Sequence, residues 1–105
     1  MASLKLDPYV VQVLMRDLTG HDRSPSAFLV YLFFWARTLG AGRRSAFASL
    51  RQIAEATGLS KSAVQAALKR LARRRLVRVA RRSPTAVPEY FLCRPWAARR
   101  PAANR

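Results

Sequence analysis

Between Ser60 and Arg75 the chain carries six bases, Lys61, Lys69, Arg70, Arg73, Arg74 and Arg75, and no carboxylate. Turning about 100° per residue from Val64 as the inward direction, Ser62, Ala66, Lys69 and Arg73 fall within about 40° of the opposite side of a helix. Gln65 lies on the flank, at about 100° from Val64, and Lys61 lies near the helix start. An outward face with donors, one small residue and no acid can approach a polyanion closely. Gln, Lys and Arg have the geometry to read base edges in a major groove. A merely solvated helix face would mix signs for i,i+4 pairing, and this one does not.

A second group of bases follows. Arg78, Arg81 and Arg82 flank a turn, where they suit a nucleic-acid backbone or a minor groove. Arg43, Arg44 and Arg51 precede or open another helix, near the N–H groups of Ser49 to Arg51, which favour a phosphate. These arginines read as position and affinity rather than sequence readout. Any one of them taken singly is also consistent with an idle surface charge.

Other chemistry is poorly provided for. No carboxylate pair or Cys/His pair falls at a recognisable spacing, and no glycine-rich phosphate loop exists. His21 lies in a polar stretch beside Asp22, and Cys93 closes an apolar run, where it reads as a small hydrophobe. One histidine and one cysteine offer no metal-ligand set. The expectation is a protein that is not an enzyme and uses no cofactor and no metal.

The elements that must hold these side chains follow from pattern and punctuation. Asp7-Pro8 opens a first helix, with Val11, Leu14, Met15 and Leu18 as its core stripe and Gly20 as its end. Ser24-Pro25 opens a second, with Phe28, Tyr31, Leu32, Trp35 and Leu39 on one side and Leu29, Val30, Phe33 and Phe34 on the other. A helix apolar all round is covered on all sides, by the domain itself or by a second copy. A homodimer through helix 25–39 is therefore one expectation. After the Gly40-Ala41-Gly42 loop, Ser45 to Ala48 reads as one short strand.

Ser49 caps a third helix with Gln52 as capping-box partner, and Gly58 stops it. Only Leu59 intervenes before Ser60, the cap of a fourth helix with Val64, Leu68 and Leu71 inward, ending near Arg74. Leu76 to Ala80 and Glu89 to Cys93 read as two strands of a hairpin about the Ser83-Pro84-Thr85 turn. Two helices joined at glycine, with small Ala54 at the crossing and Leu59 and Val64 as plugs, make a helix-turn-helix from Ser49 to Arg75.

Composition sets the frame. The chain has 105 residues and a net charge of +15. Residues 1–42 hold four bases and three acids; residues 43–105 hold sixteen bases and two acids. Seventeen Arg against three Lys fits a genome rich in G and C, but codon bias does not confine charge to one half. The longest apolar run, Ala27 to Ala36, has ten residues, well short of the roughly 18–20 a membrane span needs. With one cysteine and no targeting signal, a cytoplasmic, nucleoid-associated location and no membrane partner are expected.

The run Leu50-Arg-Gln-Ile-Ala-Glu-Ala-Thr-Gly-Leu-Ser-Lys-Ser-Ala-Val-Gln-Ala-Ala-Leu-Lys-Arg-Leu, with Leu76-Val-Arg-Val after it, resembles a bacterial winged helix-turn-helix. The lead-in, Lys5-Leu-Asp-Pro and Ser24-Pro-Ser-Ala-Phe-Leu-Val-Tyr, is similar to a subgroup found in phage and plasmid replication-initiation proteins and small transcriptional regulators. The resemblance spans roughly residues 4–93. It implies a mainly α fold with a small β-hairpin wing and double-stranded DNA as partner. By it, the outward residues from Lys61 to Lys69 contact DNA and the wing arginines contact the backbone.

The expected domain is 1–93, with 94–105 a flexible basic tail. Helix 60–74 would lie in the major groove and the 78–88 wing on the backbone or minor groove. The expected contact set is Arg43, Arg44, Ser49, Arg51, Ser60, Lys61, Ser62, Gln65, Ala66, Lys69, Arg73, Arg78, Arg81 and Arg82. A sequence-specific transcriptional regulator ranks ahead of a replication or partition accessory protein, and both ahead of RNA binding or a protein-interaction module. Most aromatics fall on the inferred buried helix, rather than on the exposed sheet that RNA recognition favours.

Overall fold

The computed structural model describes residues 3–98. Its centre is helix α1 (Pro25–Arg37), which buries Ala27, Phe28, Val30, Tyr31, Phe34 and Trp35. Proline at its first turn lacks an N–H where none would be satisfied. Helices α2 (Leu50–Thr57) and α3 (Lys61–Arg73) pack against it. Strands β1 (Ala46–Phe47), β2 (Val77–Ala80) and β3 (Glu89–Leu92) form an antiparallel sheet in the order β1-β3-β2. Tyr90 faces Phe34 across this junction, with ring centroids 4.6 Å apart. The architecture is a winged helix-turn-helix: mostly helical, with the β2–β3 hairpin as the wing.

The helix-turn-helix follows its sequence signals closely. Ser49 Oγ accepts from the Gln52 N–H at 3.1 Å, and the Gln52 side chain accepts from the Ser49 N–H at 2.8 Å, closing the capping box. Gly58 ends α2 in the left-handed region at φ 79°. Ser60 Oγ then accepts from the Ala63 N–H at 3.1 Å and opens α3. Ile53, Val64, Ala67 and Leu71 form the shared core, with Ala54, Leu59 and Leu68 packed at its margin.

The N-terminal segment departs from the expected period. Residues 8–21 are helical but include two π-wound stretches, Val10–Leu14 and Asp17–His21. Bonding from i to i+5 widens the turn and lines up every fourth residue. The buried stripe is therefore Val10, Leu14 and Leu18, while Val11 and Met15 turn outward. Winding also runs past Gly20 to His21.

Packing bears on two further expectations. The chain itself covers most of α1, so Val30 and Phe34 are buried without a second copy. Leu29 remains exposed, with Leu32 and Phe33 half-buried. The expected flexible tail is also ordered at its start. Pro95–Ala98 forms one helical turn, α4, because Trp96 stacks on Tyr9 at 4.3 Å and donates to the Asp7 carboxylate at 2.9 Å. The rest of that expected tail, 99–105, lies outside the described residues. Among the described residues no helix is long and apolar enough to cross a membrane.

Candidate nucleic-acid interface

Helix α3 presents its basic side away from α1. Lys61, Ser62, Gln65, Ala66, Lys69 and Arg73 are all exposed, as the angular reading predicts. Ser60 is exposed too, but its hydroxyl is committed to capping and lies 3.3 Å from the Ser62 hydroxyl.

Two depressions run along this side. The first is walled by Ser49, Arg51 and Lys61 from the two helix starts, and by Arg81 and the loop residues Pro84 to Pro88 from the wing. The second lies between α3 and the sheet, walled by Leu68, Lys69, Ala72, Val77, Val79 and Tyr90, and again by Arg81. Arg81 thus joins both into one basic trough between α3 and the wing. Its guanidinium donates to the Pro84 carbonyl at 3.2 Å, which steadies the turn. Burial pushes the Tyr90 phenol up, against the opposing pull of the Arg81 charge.

The predicted residues divide accordingly. Arg51, Lys61, Lys69 and Arg81 are brought to the trough, with Ser49 at its end. Ser49's own N–H is taken up by Gln52, so it is not free for a phosphate. Arg51 pairs with Glu55 at 3.2 Å, both largely exposed, a contact weak enough to exchange for another anion. Arg82 lies on the far side of the wing, with Phe47 and Ala80. Arg43 and Arg44 sit exposed before β1, at the sheet edge opposite β2, and wall neither depression.

Arg78 is misplaced by the sequence reading. It pairs across the sheet with Phe91, while its neighbours Val77 and Val79 share the face of Tyr90. Alternation along a strand points Arg78 away from α3. Its guanidinium lies over the Phe91 ring, 4.3 Å from the centroid.

Sequence reasoning also missed what fixes α3 in place. Arg74, at its C-cap, donates to Asp22 Oδ2 at 2.7 Å and to Asp17 Oδ2 at 2.9 Å. Burial pushes the Asp22 carboxyl up, but bonds from His21 and Arg74 outweigh it and hold the group below its ordinary value. Asp17, His21 and Asp22 are distant in sequence from Arg74, and only the docking of the N-terminal helix brings them together. The wing loop's part in the trough, Thr85 to Val87, carried no charge signal to find it by.

A cap-positioned basic helix beside a basic wing defines a winged helix-turn-helix DNA-binding domain. The chain belongs to the helix-turn-helix domain family, whose profile matches residues 24–77, just over half of its length. No curated protein and no solved structure matches it significantly.

Proposed function

We propose that this protein binds double-stranded DNA sequence-specifically and acts as a transcriptional regulator, without a catalytic step. The observation that carries this reading is the trough in which Arg81 of the wing joins Lys61 and Lys69 of α3. In it, α3 lies in the major groove, with Ser62 and Gln65 over base edges and Lys69 on a flanking phosphate. Lys61, Arg51 and Arg81 take phosphates on either side. Ala66, small and central, lets the helix seat deeply. The Asp17/Asp22–Arg74 clamp keeps the helix end from tilting as it does so.

The test is binding of the purified chain to a random-sequence duplex pool and to its own upstream region, across salt. Selective enrichment that survives about 150–200 mM salt, where non-specific contacts fade, supports a regulator. Uniform binding that is lost steeply with salt overturns sequence specificity and leaves an accessory role in replication or partition.

A further inference from the structure

The sheet has two faces, and the core uses one. Tyr90 and Val77 point into the core. On the other face Phe47, Glu89 and Ala80 stand opposite one another across the three strands, and Phe91 pairs with Arg78 one step further in. Phe47 is 60% exposed. Neither Phe47 nor Phe91 belongs to the core or packs against it. Phe91 is shielded by Arg78, whose planar guanidinium lies over its ring.

The rim of this face is basic. A shallow depression beside Phe47 is walled by Ala80, Arg81, Arg82, Val87 and Glu89. The single carboxylate there, Glu89, accepts a hydrogen bond from the Ser45 hydroxyl. An exposed ring, the Arg78 guanidinium plane and two further arginines suit a ligand with flat apolar faces on an anionic chain. Unpaired nucleotides have that chemistry: bases stack on aromatic and arginine planes while the backbone follows the positive charge. An apolar protein segment would cover Phe47 but leave Arg78, Arg81 and Arg82 uncompensated.

Position selects DNA as the source of the strand. Arg81 walls both this depression and the α3 trough, so a strand that leaves a duplex held in the trough meets Phe47 next. We propose that the outer face of the wing sheet, through Phe47 and the Arg78–Phe91 stack, holds unpaired nucleotides of single-stranded DNA at the end of a bound duplex. The location rests on the duplex reading above; the stacking chemistry does not.

The experiment measures affinity for four probes: a blunt duplex, the same duplex with a short oligo(dT) overhang, oligo(dT) alone and oligo(U) alone. The expected result is tighter binding of the tailed duplex than of the blunt one. Phe47→Ala should remove about tenfold of the affinity for the tailed probe and for oligo(dT), with blunt-duplex affinity within about twofold of wild type. Phe47→Leu, which keeps apolar bulk, should behave like Phe47→Ala. Arg78→Lys, which keeps charge but loses the stacking plane, should also lower the tail preference.

Equal affinity of wild type for blunt and tailed duplexes overturns the proposal, as does a parallel loss on both probes in Phe47→Leu. Tighter binding of oligo(U) than oligo(dT) overturns the assignment to DNA. Failure of the duplex reading shows separately, as absent blunt-duplex binding, and oligo(dT) still reports on Phe47 in that case.

Discussion

Individual side chains in the trough carry separable consequences. Lys69 and Arg81 wall the same depression from opposite sides, so each should neutralise its own phosphate. Lys69→Ala and Arg81→Ala should each weaken duplex binding and flatten the salt slope by about one, as read from titrations at several salt concentrations. Asp22 acts at a distance from DNA. Its side chain is 5% exposed and bonded to Arg74, so Asp22→Asn should destabilise the fold by about 1–2 kcal/mol in urea unfolding near neutral pH. Because folding holds that carboxyl below its ordinary value, its contribution is complete above the unfolded value. It fades as the pH falls through the folded one. The stability gap between wild type and Asp22→Asn should therefore be full near neutral pH and narrow as the pH falls through the folded value. The outward residues of α3 were legible because a helix repeats predictably from one fixed core position, Val64. Arg78 was not, since a base beside a turn gives no sign of which sheet face it takes until strand register is known. The Arg74 clamp was not, because its partners lie more than fifty residues away in the chain.

At the level of elements, local chemistry fixes the helix-turn-helix almost unaided. Its two serine caps and its terminal glycine are each satisfied by atoms within a few residues, which is why they could be read in advance. Gly58 sits at φ 79° with nothing within 4 Å of where a Cβ would stand. Gly58→Ala should thus cost about 1–2 kcal/mol from backbone conformation alone, with no packing loss. Ser49→Ala should cost about 1 kcal/mol by opening the capping box. Thermal unfolding of the two single variants and the double variant checks both, and near-additive losses are expected of separate local effects. The N-terminal helix is the counterexample. Its π-wound turns put Val10 rather than Val11 in the core, and a pattern argument tuned to 3.6 residues per turn selects the wrong neighbour. Residues 94–98 failed for a related reason. A short Pro- and Ala-containing stretch has little intrinsic structure, and only the Trp96–Tyr9 stack and the bond to Asp7 hold it.

Across the whole molecule, charge and apolar surface pull against each other. Fourteen of the fifteen net positive charges follow residue 42, so copies of the free protein repel, and repulsion of this size opposes self-association until a polyanion screens it. The apolar surface left on α1 is small. Leu29 is exposed, and Leu32, Phe33 and Ala36 line a shallow groove with Arg37 at its edge, whose guanidinium lies 4.7 Å from the Phe33 ring centroid. Such a seam is too modest to overcome the charge alone, but it can act once DNA has neutralised the two copies. A dimer through α1 on a two-part site, as the sequence leads one to expect, would then form on DNA and not in free solution. Light scattering of the free protein at low salt should give a monomer, and titration onto a duplex with two half-sites should proceed cooperatively to two copies. Leu29→Glu should abolish that cooperativity while leaving single half-site affinity within about twofold, since Leu29 lies outside the trough and a single exposed charge far from the contacts is weakly felt through salt. Cooperative filling by Leu29→Glu equal to wild type would show that any coupling between sites does not pass through α1.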